Sequence, residues 1–324
     1  MKGKHHITIE TKRLKYEFEI KRNITVIQGD SATGKTTLIE LLSTYAVQKE
    51  KSGIKLVSDV ECAVYTGGQT DWKASMESLK NSIIFIDEDY SFIFSEEFAK
   101  WLQGNSNYFV LITRRPIYNL PYSVNEIYGI RTSGKYHFPQ QIYHEFYQIY
   151  SDIEMNSLES DYIVYLEDTK AGFQFYTKAF KDKTIRSCEG NANIAYAISE
   201  SDRIIVIADG AAFGAYIDNL MAVVEEKKEV LIYLPESFEW LILKSGLIDG
   251  SRVQDILSKP EDYIDSESFL SWECFFTDLL QRETEDDKQK KYNKMKLSKF
   301  YYSPKAVMSI LQVMPDAVRE KLVN

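Results

Sequence analysis

Apolar and polar residues alternate from the start of the chain. In "HITIETKRLKYEFEI" (6–20) apolar and polar residues alternate on either side of a polar stretch at 10–13, which predicts two short strands or one bent hairpin. "ITVIQ" (24–28) reads as a short buried strand, and "TTLIELLSTYAVQKEK" (36–51) carries helical periodicity. Further strands are predicted at "VECAVY" (60–65), "SIIFIDEDY" (82–90) and "YFVLITR" (108–114), with a helix at "EEFAKWL" (96–102) and a closing hairpin at "NEIYGIRTSGKYHF" (125–138). Residues 141–160 read as a linker or bridging helix. A second set of strands follows at "DYIVYLED" (161–168), "KTIRSC" (183–188), "DRIIVIADG" (202–210) and "EVLIYLP" (229–235). From about residue 246 the pattern is helical, clearest in "ESFLSWECFFTDLLQRE" (267–283). Strands alternating with helices imply α/β architecture with parallel sheets. The expected organisation is one α/β domain at 1–140, a linker at 141–160, a second α/β domain at 161–245 and a helical region at 246–324.

Composition narrows the class. At 324 residues and 44% apolar content the chain suits two globular domains of moderate size. Its three cysteines, Cys62, Cys188 and Cys274, are far apart and form neither a disulfide framework nor a zinc motif, so a reducing cytosol is expected. No long apolar run suggests a membrane span. The first 150 residues are nearly neutral, whereas the remainder carries ten more acids than bases. That balance argues against a large nonspecific nucleic-acid surface and is compatible with a local basic groove. The mixed-charge run "ETEDDKQKKYNKMKLSK" (283–299) reads as a solvated helix or loop, with a nucleic-acid patch as the alternative. Most Tyr and Phe residues, such as Phe85, Phe109 and Tyr165, fall within strands and are read as core.

The chemistry begins at "GDSATGKTT" (29–37). Gly29-x-x-x-x-Gly34-Lys35-Thr36 is a complete Walker A pattern, with a strand before it and a helix after it. The glycines let the backbone curl so that successive N–H groups face a phosphate, and the helix adds its positive end. Gly29, Asp30, Ser31, Ala32, Thr33, Gly34, Lys35, Thr36 and Thr37 are therefore the expected nucleotide-binding residues. Lys35 would reach the β- and γ-phosphates, and the Thr36 hydroxyl would ligate Mg²⁺. "IIFIDE" supplies an acid at a strand end: Asp87 for the metal's water, and Glu88 to orient the attacking water or, alternatively, to cap the next turn. In "LITRR", Thr113 occupies the place of a γ-phosphate sensor, and Arg114 or Arg115 would steady transition-state charge or simply be solvated. "TGGQ" (66–69) resembles the end of an ABC-type signature but lacks the chain length for that family's helical subdomain, so a loop is expected.

These motifs make the first domain resemble a compact P-loop NTPase, which implies ATP and Mg²⁺ as ligands and an ATPase activity. The second set of strands resembles a Toprim-like domain, as in overcoming-lysogenization-defect nucleases. In that family a first strand ends in glutamate and a later one in Asp-x-Asp, and the acids hold Mg²⁺. Glu167 and Asp209 match those positions as metal ligands, and Glu239 is placed to join them. Ala211 stands where the second aspartate belongs, which puts two-metal cleavage in doubt unless Asp168, Asp218 or Glu239 substitutes. The resemblance implies a cytosolic ATPase whose second domain acts on nucleic acid, in phage defence or a mobile element. The alternative is a nucleotide-switched module that recruits a protein partner without cutting. Oligomerisation, with an arginine supplied across an interface, is compatible with either.

Overall fold

The computed structural model describes residues 1–29, 33–137, 141–151, 162–227 and 229–323. The chain is α/β, with one large mixed sheet and one separate parallel sheet. It divides into two compact units. The first comprises residues 1–151 and 261–271, and the second the remaining residues. The segment 261–271, read in sequence as part of the helical end region, thus packs with the first unit.

In the first unit β1 (His5–Glu10) and β2 (Leu14–Ile20) form the expected antiparallel hairpin. Then come β3 (Ile24–Ile27), α1 (Lys35–Gln48), β4 (Lys55–Val57), β5 (Cys62–Val64), α2 (Trp72–Met76), β6 (Ile83–Ile86), α3 (Glu96–Leu102), β7 (Tyr108–Ile112), β8 (Ile127–His137) and β9 (Gln141–Gln148). The sheet order is β4-β1-β2-β9-β8-β3-β7-β6-β5. Strands β8, β3, β7, β6 and β5 run parallel, whereas β1 is antiparallel to β2 and β4, and β8 to β9. The sheet is therefore mixed, where the alternation of strands and helices predicted a parallel one. The reason is β9. Residues 141–148, read as the start of a linker, instead form a strand that joins the hairpin to the parallel strands through a parallel pairing with β2.

Strands β3, β6 and β7 are buried along their whole length, as their continuous apolar runs require in a sheet covered on both faces. Each fully buried Ile, Val, Leu or Phe contributes about 1.5–3 kcal/mol. One core joins the hairpin to the parallel strands: Ile7, Ile9, Tyr16 and Phe18 pack with Leu38 and Leu42 of α1 and with Phe85 and Val110. The start of α1 is thereby fixed under the hairpin. The "TGGQ" stretch is a loop, as expected. The Gln69 amide donates to the Asp89 carbonyl (2.7 Å) and its Oε1 accepts from the Ser91 amide (3.2 Å), so the loop is tied to the turn after β6. Segment 261–271 is held at two points: the Met1 ammonium pairs with Asp265 (2.8 Å), and the buried Asn23 donates Nδ2 to the carbonyls of Phe269 (3.1 Å) and Leu270 (2.6 Å).

The second unit is built on β10 (Ile163–Leu166), β11 (Thr184–Ser187), β12 (Arg203–Ile207) and β13 (Glu229–Tyr233), all parallel, in the order β11-β10-β12-β13. Between the strands lie α4 (Ala171–Ala179), α5 (Ile194–Ile198) and α6 (Ile217–Val224). After them come α7 (Phe238–Lys244), α8 (Ser251–Ser258), α9 (Trp272–Glu283), α10 (Pro304–Gln312) and α11 (Asp316–Val323). Asn193, at the start of α5, makes no side-chain cap and donates Nδ2 to the Glu189 carbonyl (3.3 Å). Gly210 is fixed by close approach. A Cβ there would lie 2.6 Å from the Leu234 carbonyl oxygen, and its own amide donates to the Pro235 carbonyl at 2.6 Å. That contact locks the end of β12, and with it Asp209, against the end of β13.

Candidate functional site

The first candidate site forms where β3 hands over to α1. Gly29 and Gly34 both adopt positive φ, +127° and +100°, a conformation that costs glycine little and other residues more. Gly34 is also closely covered: a Cβ would lie 2.8 Å from the Tyr16 hydroxyl, which donates to the Gly34 carbonyl at 3.0 Å. Tyr16 faces His144 across the β2–β9 pairing, and the two rings stack at 4.6 Å. Burial pushes the Tyr16 hydroxyl up to about 12 and holds His144 below the ordinary imidazole value. The Lys35 ammonium is buried and folds back along its own loop, donating to the Gly29 carbonyl (2.5 Å) and to the Thr33 hydroxyl (3.2 Å). Asp30, Ser31 and Ala32 lie outside the described residues.

A cavity of about 380 Å³ gathers Thr33, Gly34, Lys35, Thr36 and Thr37 with Asp87 and Glu88 from the end of β6 and Arg114 from the end of β7. Tyr16 and His144 close one side of it. Burial raises the Asp87 carboxyl above the usual range, while the Glu88 amide hydrogen-bonded to it (2.7 Å) pulls the other way. Glu88 pairs with the Arg114 guanidinium at 3.0 Å. Thr36 and Asp87 are the donors present for a divalent ion, a hydroxyl and a carboxylate on one cavity wall. Such a pair fits Mg²⁺ when phosphate oxygens and water complete the shell.

The "TRR" triplet splits by role. The Thr113 hydroxyl is buried in the turn, donating to the Arg115 carbonyl (2.9 Å) and accepting from its amide (3.0 Å), and Thr113 is not among the residues around the cavity. Arg115 lies over the Phe94 ring at 4.4 Å. Of the two arginines, Arg114 is the one at the cavity. Tyr16 and His144 escape a motif-based reading. The one sequence signal belongs to Tyr16, a polar-tipped aromatic on the inward-facing side of the alternating strand β2; His144 has none.

The second candidate site lies at the carboxyl ends of β10 and β12, where open parallel sheets collect their chemistry. Glu167 and Asp209 come together: a Glu167 carboxylate oxygen accepts the Asp209 backbone amide at 2.8 Å, and the Asp209 carboxylate accepts the Phe238 amide at 3.0 Å. Burial is the main cause raising both carboxyls, Glu167 to about 7 and Asp209 well above its ordinary value, and each is raised further by neighbouring acids. The Asp168 side chain is occupied at the start of α4, accepting from the Phe173 amide at 2.9 Å. Ala211 is buried in the turn after β12.

Two acids and one base complete the centre. Glu239 of α7 is buried and accepts from the Tyr292 hydroxyl at 2.6 Å. Glu273 of α9 pairs with Lys294 at 2.8 Å, and the same ammonium stands 3.8 Å from Glu239. Burial alone would lower Lys294; Glu239 and Glu273 outweigh it, so its value is raised. A cavity of about 450 Å³ is bordered by Glu167, Asp168, Asp209, Glu273, Lys294 and the Gly190 turn. Among the described residues, no three His, Cys, Asp or Glu side chains are grouped so as to hold a metal ion. Glu167 and Asp209, the expected metal ligands, thus share their cavity with the Lys294 ammonium, which pairs with Glu273 and Glu239. The run 283–299 is correspondingly neither a solvated helix nor a surface loop throughout, since Tyr292 is buried and Lys294 is mostly so.

No helix among the described residues is long and apolar enough to cross a membrane. Comparison with protein families, with curated proteins and with solved structures finds no match, so what the two sites do is argued from their own geometry.

Proposed function

We propose that this protein binds and hydrolyses ATP with Mg²⁺ at the loop of residues 29–37, in the manner of a compact P-loop NTPase, and that this cycle gates the second unit. One observation carries the nucleotide reading: a single cavity brings Thr33–Thr37, Asp87, Glu88 and Arg114 together from three separate strand ends. Each has a role there. Lys35 and the loop amides would hold phosphate, and Thr36 with Asp87 would hold Mg²⁺, which offsets phosphate charge. Glu88 would orient the attacking water, and Arg114 keeps the Glu88 carboxylate in place while adding positive charge at the γ-phosphate position.

The second unit, in this reading, is a Toprim-like arrangement acting on nucleic acid in the cytosol. Two observations favour a second reading of that unit, as a recognition module that does not cut: Ala211 offers no carboxylate, and Lys294 sits among the acids. ATP turnover in Lys35→Ala and Glu88→Gln tests the first part. Lys35→Ala should abolish turnover with the fold intact. Glu88→Gln should keep nucleotide affinity within a few-fold while hydrolysis falls roughly 10²–10⁴-fold. Normal turnover in the first variant would remove the P-loop assignment; normal turnover in the second would give the water to another group.

A further inference from the structure

The acid centre of the second unit contains more carboxyl groups than it has basic partners. Glu167, Asp168, Asp209 and Glu273 border one cavity, and Glu239 lies next to it through Lys294. Beneath three of these acids is a smaller cavity of about 30 Å³, lined by Glu167, Asp168, Asp209 and Tyr176. Tyr176 is 2% exposed, and its hydroxyl has no partner among the described residues. The second Glu239 carboxylate oxygen is likewise buried without a hydrogen-bond partner. Buried polar groups left in this state call for a ligand or counter-ion.

One cation is already present. Lys294 is about three-quarters buried, at 2.8 Å from Glu273 and 3.8 Å from Glu239. Its position is built by its neighbours on both sides. Tyr292 donates its hydroxyl to Glu239 and its amide to the Thr284 hydroxyl (2.9 Å). On the other side Gln174 of α4 donates to the Met295 carbonyl (3.0 Å) and accepts from the Leu297 amide (3.1 Å). The Tyr301 hydroxyl and Ser298 hydroxyl brace the same segment at the Lys290 and Gln289 carbonyls. A lysine held from both flanks and paired with buried acids is a structural part of the centre, not a mobile surface charge. A flexible four-carbon stem also lets an ammonium withdraw while its backbone stays pinned.

We propose that the Lys294 ammonium is the resident counter-cation of this acid centre and occupies the place a divalent ion would take, so that the centre accepts a divalent cation only when Lys294 leaves. The inference goes beyond the nucleotide reading and does not depend on it.

The test is Mn²⁺ binding to the full chain without nucleotide, followed by electron paramagnetic resonance of the free ion, for wild type, Lys294→Met and Lys294→Met/Asp209→Asn. The expected result is weak binding by wild type, at least tenfold tighter binding by Lys294→Met, and loss of that gain in the double variant. Mn²⁺ should also raise the melting temperature of Lys294→Met more than that of wild type. Equal affinity in wild type and Lys294→Met overturns the proposal, as does a gain that survives Asp209→Asn. If Lys294→Met does not fold, wild type still decides. Micromolar Mn²⁺ binding that Glu167→Gln abolishes would show the centre open to metal with the lysine in place, and would overturn it; its absence is the expected result. Because ATP turnover is not the readout, failure here leaves the P-loop reading standing, and failure of that reading leaves this one standing.

Discussion

His144 shows how much one side chain's surroundings determine. Its ring stacks on Tyr16, its Nδ1 is buried without a hydrogen-bond partner, and it borders the cavity that contains Lys35 and Arg114. Burial lowers its value, so the folded chain binds a proton there less readily than the unfolded chain does. The sign follows from linkage: the unfolded state takes up more protons as pH falls through about 6.5, so stability is lost on acidification through that range and is restored above it. Thermal unfolding of wild type and His144→Gln at pH 5 and pH 7.5 checks this. The variant should lose less stability between the two pH values, and parallel losses would contradict the assignment. Nothing in "QIYHEFYQ" marks His144 for such a place, because its neighbour is Tyr16, 128 positions earlier in the chain.

At the scale of elements, legibility follows burial pattern. "SIIFIDE" and "YFVLITR" announce themselves because strands covered on both faces need unbroken apolar runs, and β6 and β7 lie within them. The second sheet was readable for the same reason. Strand β9 was not, since aromatic and polar residues share both of its half-buried faces and no period of two stands out. The glycine-bounded pattern at 29–37 was legible locally; the acid centre was legible only in part. Glu167 and Asp209 end their strands, but Lys294, which borders the same cavity, comes from a charge-rich run that resembles solvated sequence. Segment 261–271 was illegible for a related reason: its contacts, from the Asn23 amide and from the Met1 ammonium to Asp265, span more than 240 residues. Asn23→Ala leaves two carbonyls without that donor and should cost about 1–3 kcal/mol, read from urea denaturation. A change within a few tenths of a kcal/mol would mean that other contacts hold the segment.

The whole molecule interleaves its two units. The chain builds most of the first unit, passes into the second, returns for residues 261–271, and ends in the second. A fragment of residues 1–151 therefore lacks a piece of its own unit. Its β3 amides should exchange with solvent faster than in the full chain, and a peptide of residues 261–271 added in trans should slow them. Exchange indifferent to the peptide would show that the segment contributes nothing to that strand.

The same threading sets an order of events on the ribosome. Domains generally fold as units, the N-terminal one first, during synthesis at about 5–20 residues per second. Here all four strands of the second sheet have been synthesised before residue 271, the last residue of the first unit, exists. The loop after β3 is thus translated early and its unit is finished late. A nascent chain that has just completed its second sheet still carries an unfinished first unit.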